Sequence, residues 1–233
     1  MRLYFLALST LFILFSPIMV VANSAVFVVN SSAVYDYSIN QYNAEDRTGV
    51  PKNQLFNANK EIIRYFQDSN EHLDIKVTNL ENNLIELFNA REIHHMRDVK
   101  TIMQWLYRTQ AVLMGLCVTY LVFGIMSAAV RKKWSLPYLG RTLATSGILS
   151  GGIVLFLGVF AAMGGFRYLF LQFHFISFSN DLWILDPNRD KLIQMFPEPF
   201  FFDATMLIAG LTLGQIILSL VSGLYVLFWH PQR

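Results

Sequence analysis

Four apolar runs, Leu3 to Ala22, Ala111 to Val130, Leu143 to Met163 and Thr205 to Phe228, decide most of what this chain can fold into. Each is close to the ~20 residues a helix needs to cross about 30 Å of hydrocarbon. No water reaches a segment in that medium, so each run must satisfy its backbone internally, as a helix. The rest of the composition agrees: 54% of the residues are hydrophobic and 15% charged, the balance of a polytopic membrane protein and not of a soluble domain. A formal net charge of +2 is too small to argue for nucleic acid or an acidic ligand as partner.

Charge placement orients the spans. Arg131, Lys132, Lys133 and Arg141 crowd the short link between the second and third runs with no acidic residue among them. By the positive-inside rule that link is cytoplasmic, which puts both termini inside and residues 23–108 and 166–203 outside. The stretch Val21 to Ala25 has the small residues of a signal peptidase site, but only Arg2 flanks the run on its positive side, and the run is read as an uncleaved helix. The expected fold class is a mainly α membrane protein of four transmembrane helices with a small extracytoplasmic α+β cap. The predicted order is helix 1 over 1–22, cap over 23–100, helix 2 over 101–130, cytoplasmic loop over 131–142, helix 3 over 143–165, an extracytoplasmic interfacial segment over 166–203 and helix 4 over 204–229.

Within the cap, Val26, Val28 and Val34 to Tyr37 mix β-branched and aromatic residues at near-alternate positions, which predicts strand. Asn57 or Asn59 is placed to cap a short helix bearing Ile62, Ile63 and Phe66, and the alternation of His72 to Thr78 predicts a second strand with Leu73, Ile75 and Val77 on one side. Asn89 followed by Glu92 has the form of an N-cap and an acid three residues on, and no Pro or Gly interrupts the chain from there to Met114. A long helix is therefore predicted from Ala90 into the second span. The glycines of the third and fourth spans, Gly147, Gly151, Gly152, Gly158, Gly210 and Gly214, are predicted to be close helix contacts. Cys117, in mid-span and the sole cysteine, is assigned to packing.

Two stretches carry candidate chemistry. On the long helix, His94 and His95 differ by about 100° around the axis, so only one faces a given site, and either lies within one turn of Asp98. In the interfacial segment, eleven aromatics surround five carboxylates and His174, and an aromatic setting keeps an imidazole neutral and able to act as a base. Asn180, Asp181 and Trp183 read either as donors to an anionic intermediate or as a turn with an interfacial tryptophan. The run Asp186 to Asp190 has the acids of a calcium loop, but its sixth position is Lys191 and its twelfth Pro197. Asp186 as N-cap with Pro187 in the first helical position fits it better.

The residues HHMRDVK before the second span and FHFISFSNDLWILDPNRDKLIQMFPEPFFFD between the third and fourth closely resemble the signature of bacterial lipoprotein intramolecular transacylases. The resemblance covers most of the chain, and it implies an integral enzyme of the bacterial plasma membrane with an extracytoplasmic site. The implied reaction moves the sn-2 acyl chain of a diacylglyceryl-cysteine lipoprotein to the α-amine of the same cysteine, without a cofactor or a metal. Diacylated lipoproteins and membrane phospholipid are the implied partners. Carried over by position, His95 and His174 are the catalytic pair, with His94, Asp98, Lys100, Asn180, Asp181 and Trp183 in supporting or substrate-binding places. His174 is assigned as base and His95 as donor to the leaving oxygen or the oxyanion, with Asn180 or Lys100 assisting. Two rival readings stay open: a metal-dependent membrane hydrolase using His94 or His95 with His174 and Asp181, and a lipid- or lipoprotein-binding protein without catalysis.

Overall fold

A computed structural model describes residues 2–130 and 135–229; Arg131, Lys132, Lys133 and His230 lie outside the described residues. In chain order the elements are α1 (Arg2–Val29), α2 (Ser32–Gln41), α3 (Ala44–Thr48), α4 (Lys52–Gln67), β1 (Lys76–Thr78), β2 (Leu84–Glu86), α5 (Ala90–Ala129), α6 (Ser135–Gly164), α7 (Phe166–Ser177), α8 (Lys191–Met195) and α9 (Glu198–Trp229). Four of these, α1, α5, α6 and α9, are long and apolar enough to cross a membrane. Contacts divide the chain into two compact units, one of residues 1–26, 107–163 and 208–233, the other of 27–106 and 164–207.

The first unit is a helix bundle. Phe5, Phe12, Tyr120 and Leu139 form its buried aromatic centre, with Tyr120 5.3 Å from Phe5 and 5.0 Å from Phe12 between ring centroids. Hydroxyls and amides join the helices elsewhere: Ser16 meets Ser150 at 3.1 Å, Ser146 meets Ser219 at 3.1 Å, and Gln215 donates to Ser24 at 2.8 Å. Such polar pairs hold helices together where lipid offers no hydrophobic drive for association. The helices α6 and α9 approach closely at Gly140 and Gly223, where a Cβ on Gly223 would fall 2.5 Å from the Ala144 nitrogen. Gly147 also meets the expectation of close packing, against Leu220, whereas a Cβ on Gly152, Gly158, Gly210 or Gly214 would meet nothing within 4 Å.

The second unit is mainly helical, which corrects the predicted strands at its start. Val26 and Val28 belong to the last turns of α1, and Val34 to Tyr37 lie in α2. The near-alternation there is shorter than the helical spacing it sits in: α2 buries Tyr35, Ser38 and Ile39, three to four residues apart, and that face decides the conformation over β propensity. The helix bearing Ile62, Ile63 and Phe66 begins at Lys52 behind Pro51, so Asn57 and Asn59 are interior and cap nothing. A two-stranded antiparallel sheet remains, β1 against β2 with Val77 opposite Ile85, and Leu73, Ile75 and Val77 are all buried as expected.

At its N-terminus α5 follows the predicted capping box. The Asn89 N–H donates to Glu92 Oε2 at 2.8 Å, and the Glu92 N–H donates to Asn89 Oδ1 at 3.1 Å. The helix runs for 40 residues, about twice what the hydrocarbon requires. Its first part, through Leu106, belongs to the second unit and carries the candidate chemistry.

Candidate active site

His95 and His174 come from elements far apart in sequence and meet in the second unit. Their ring centroids lie 6.4 Å apart at 29°, a stacked arrangement. On α5, His95 points inward and His94, about 100° away, is exposed. On α7, an amphipathic helix, His174 occupies the buried face, while Tyr168, Phe175 and Ile176 are exposed. Gly165, with φ of +74°, supplies the left-handed residue that separates α6 from α7.

Aromatic rings wall both imidazoles. Phe178 packs edge-on against His95 at 5.1 Å, Phe170 against His174 at 4.4 Å, and Trp183 lies over His174 at 4.9 Å. Burial among these rings pushes the His95 pKa down to about 4, with the neighbouring His174 adding to the depression and Asp98 opposing it. Burial lowers the His174 pKa too, against a bond to the Phe170 carbonyl that favours the cation. That bond, from Nδ1 to the Phe170 oxygen, is 2.6 Å long. A carbonyl only accepts, so Nδ1 of His174 carries the proton and Nε2 has a free lone pair. His95 Nδ1 is buried with no hydrogen-bond partner among the described residues.

The segment 178–184 folds as a turn against α5. Asn180 Oδ1 accepts the Leu182 N–H at 3.0 Å, the Trp183 indole donates to the Asn180 carbonyl at 2.9 Å, and Asn180 Nδ2 donates to Asp98 Oδ2 at 2.8 Å. Of the two readings of Asn180, Asp181 and Trp183, the turn is the one these bonds describe. Lys100 is engaged elsewhere: its ammonium donates to Asp68 Oδ1 and to the Asn70 carbonyl, both at 2.7 Å, and sits 4.0 Å from the Tyr65 ring centroid. The structure thus brings His95, His174, Asp98, Asn180 and Trp183 together, and it turns His94 and Lys100 away from them.

Two buried carboxylates join α5 to the chain leading into α8. Glu92 accepts the Leu192 N–H at 2.6 Å, and Asp190 accepts from the Asp186 N–H at 2.7 Å and from the Asn89 amide at 2.8 Å. Asp186 does not cap a helix, contrary to expectation. Its side chain accepts the Asn188 N–H at 2.9 Å in a tight turn, and α8 starts behind Asp190 instead. Asx-type turns compete with helix initiation in this way. Sequence reasoning missed Arg91, whose guanidinium donates to the Asp181 carbonyl and lies 3.5 Å from the Asp181 carboxylate. Its signal was available: Arg91 precedes His95 by four residues and therefore shares its helix face. Among the described residues no three of His, Cys, Asp and Glu are gathered as metal ligands.

The family model for the lipoprotein intramolecular transacylase Lit matches residues 10–201. The chain belongs to this family. As a lipoprotein intramolecular transacylase it is an acyltransferase, and lipoproteins are its substrates. A protein of Aquifex aeolicus described only as uncharacterized is 27% identical over 194 residues, which span 83% of this chain and 79% of that one. The fold matches the membrane-integral lipoprotein intramolecular transacylase Lit of Bacillus cereus with a TM-score of 0.74 at 24% identity, over 100% of this chain and 98% of that chain. A variant of the Bacillus cereus protein with a histidine replaced by arginine matches with a TM-score of 0.72 at 24% identity, over 98% of this chain and 96% of that chain. This transacylase is a multi-pass membrane protein.

Proposed function

We propose that the protein moves the sn-2 acyl chain of a diacylglyceryl-cysteine lipoprotein to the α-amine of the same cysteine, with His174 as general base and His95 as hydrogen-bond donor to the oxyanion. The observation that carries this reading is the stacked imidazole pair with one tautomer fixed: His174 Nδ1 is committed to the Phe170 carbonyl at 2.6 Å, which leaves Nε2 to accept a proton. For His95 the opposite tautomer is favoured. An orphaned buried N–H is rarer in folded proteins than an under-satisfied acceptor, so the unpartnered Nδ1 is the bare nitrogen and Nε2 carries the hydrogen.

The chemistry follows from the two nitrogens. The substrate amine, with an ordinary pKa near 7.7–8.0, attacks the ester carbonyl carbon as the free base. His174 Nε2 takes the proton that the nitrogen loses as the C–N bond forms. His95 Nε2–H hydrogen-bonds the oxyanion, and the proton taken up by His174 passes to the glyceryl oxygen as the C–O bond breaks, so that both rings end neutral. Because nucleophile and ester belong to one molecule, holding it folded removes much of the entropic barrier. Asp98 opposes the depression of the His95 pKa and orders Asn180, a supporting role. The reaction requires no cofactor.

Orientation is part of the proposal: both termini cytoplasmic and the histidine pair on the outer side of the plasma membrane, as the basic link 131–141 argues. The test is expression in a bacterium that makes diacylated lipoproteins, followed by mass spectrometry of the N-terminal lipopeptide. Total mass stays constant, and the expected fragments place one acyl chain on nitrogen and one on glycerol. Unchanged lipopeptides beside well-expressed protein would defeat the reading.

A further inference from the structure

We propose that Arg91 is a positioning residue: its guanidinium latches the 180–183 turn onto α5 and so holds Trp183 over the base His174. The inference rests on the reading of the histidine pair as the reacting groups. Arg91, His95 and Asp98 form one stripe of α5, at spacings of four and three residues, and the stripe faces the turn. At one end the Arg91 guanidinium donates to the Asp181 carbonyl and lies 3.5 Å from its carboxylate. At the other end Asp98 accepts the Asn180 amide at 2.8 Å. Two latches thus bracket His95, one turn to either side of it.

The turn they hold covers the site. The Trp183 ring lies 4.9 Å from His174 at a tilt of 37°, and its indole N–H is fixed on the Asn180 carbonyl, so the position of its ring depends on where residues 180 and 181 sit. His95 is 7% exposed and His174 8%, too little for an ester and an amine to reach both rings without displacing the cover. The latches suit that demand. Arg91 is 33% exposed at its side chain and Asp181 76%, and solvent-exposed pairs of this kind are individually weak. The turn opens to admit substrate and recloses around it, with Arg91 setting the closed register.

One feature distinguishes a latch from a catalytic carboxylate. The Asp181 carbonyl, which also accepts the Ile184 N–H at 3.0 Å, is a backbone atom that no side-chain substitution removes. Asp181→Ala therefore keeps half of the latch, and Arg91→Ala loses all of it. The experiment uses the purified full chain in detergent micelles with a synthetic diacylated lipopeptide, and labels tryptophan with 5-fluorotryptophan so that 19F NMR reports Trp183, assigned by Trp183→Phe. Arg91→Ala is expected to lower kcat about tenfold or more with a smaller change in KM, in line with the loss that misplacement of reacting groups causes. Its Trp183 resonance shifts, and added guanidinium restores part of both. Asp181→Ala loses less, and the double variant is no worse than Arg91→Ala alone. Should Arg91→Ala not fold, Arg91→Lys, which keeps the charge without the forked donors, gives the same two readouts. Wild-type kcat in the Arg91 variants, or an unmoved Trp183 resonance, would overturn the proposal. An inactive wild-type protein would instead count against the histidine reading, and the resonance would still report the latch.

Discussion

His95 and His174 face each other in a shell of aromatic rings, with 6.4 Å between ring centroids, and neither has a carboxylate directly bonded to it among the described residues. The arrangement differs from a relay in which an acid orients the base. Here a backbone carbonyl one turn back on α7 orients His174, and burial keeps both rings neutral. Neutrality gives one ring a lone pair and the other an N–H at the pH where lipoproteins are made.

Stability should fall in acid because of that burial. A histidine whose folded pKa lies below its unfolded value binds fewer protons in the native state, so its contribution is intact above the ordinary value near 6.5 and is lost as pH falls towards the folded value. For His95, pushed down to about 4, the loss across that window approaches 3 kcal/mol by linkage. Thermal unfolding at pH 7 and pH 4.5 checks it: the wild type loses stability over the interval, and His95→Phe has a visibly flatter dependence.

Glu92 ties the start of α5 to α8. Removing its carboxylate leaves the Leu192 and Asn89 N–H groups without acceptors at a fully buried position. Each orphaned donor costs on the order of 1–3 kcal/mol, so Glu92→Ala should destabilise the protein by about 3 kcal/mol, and Glu92→Gln, which keeps one acceptor oxygen, by less. Denaturant midpoints of the two variants in micelles give the comparison.

Lys100 separates structural from catalytic readings of the long helix. Its ammonium is buried between Asp68, the Asn70 carbonyl and the Tyr65 ring, and it holds the Asp68 carboxyl below the usual carboxylate range. Lys100→Met is expected to lower Tm and leave kcat per folded molecule within about twofold, because an interaction absent from the transition state does not change the chemical step. A large loss of kcat at unchanged Tm would return Lys100 to the oxyanion.

Much of this was legible in the residues, and the reasons are specific. The four spans announce themselves because lipid imposes one length and one conformation. The start of α5 was readable because Asn89 and Glu92 form a local motif that needs no tertiary partner. The helical identity of residues 26–37 was not, since Tyr35 and Ile39 become a buried face only in the folded chain; Tyr35 lies 5.6 Å from Phe196 and 6.4 Å from Phe200. The pairing of His95 with His174 came from family resemblance, as nothing in local periodicity brings two residues so far apart in sequence together. The same holds for the Asp98 to Asn180 bond and the latch from Arg91, contacts between α5 and a turn that sequence reasoning left open.

The central claim is that His95 and His174, and not His94, carry the acyl transfer. Its most direct test follows purified variants in micelles with a diacylated lipopeptide, using fragment-ion mass spectrometry to locate each acyl chain. His174→Ala and His95→Ala should each lose at least 100-fold in rate, within the range that general acid and base groups supply, while His94→Ala, whose ring is exposed, stays near wild type. Wild-type rates in well-folded His95→Ala or His174→Ala would contradict the account.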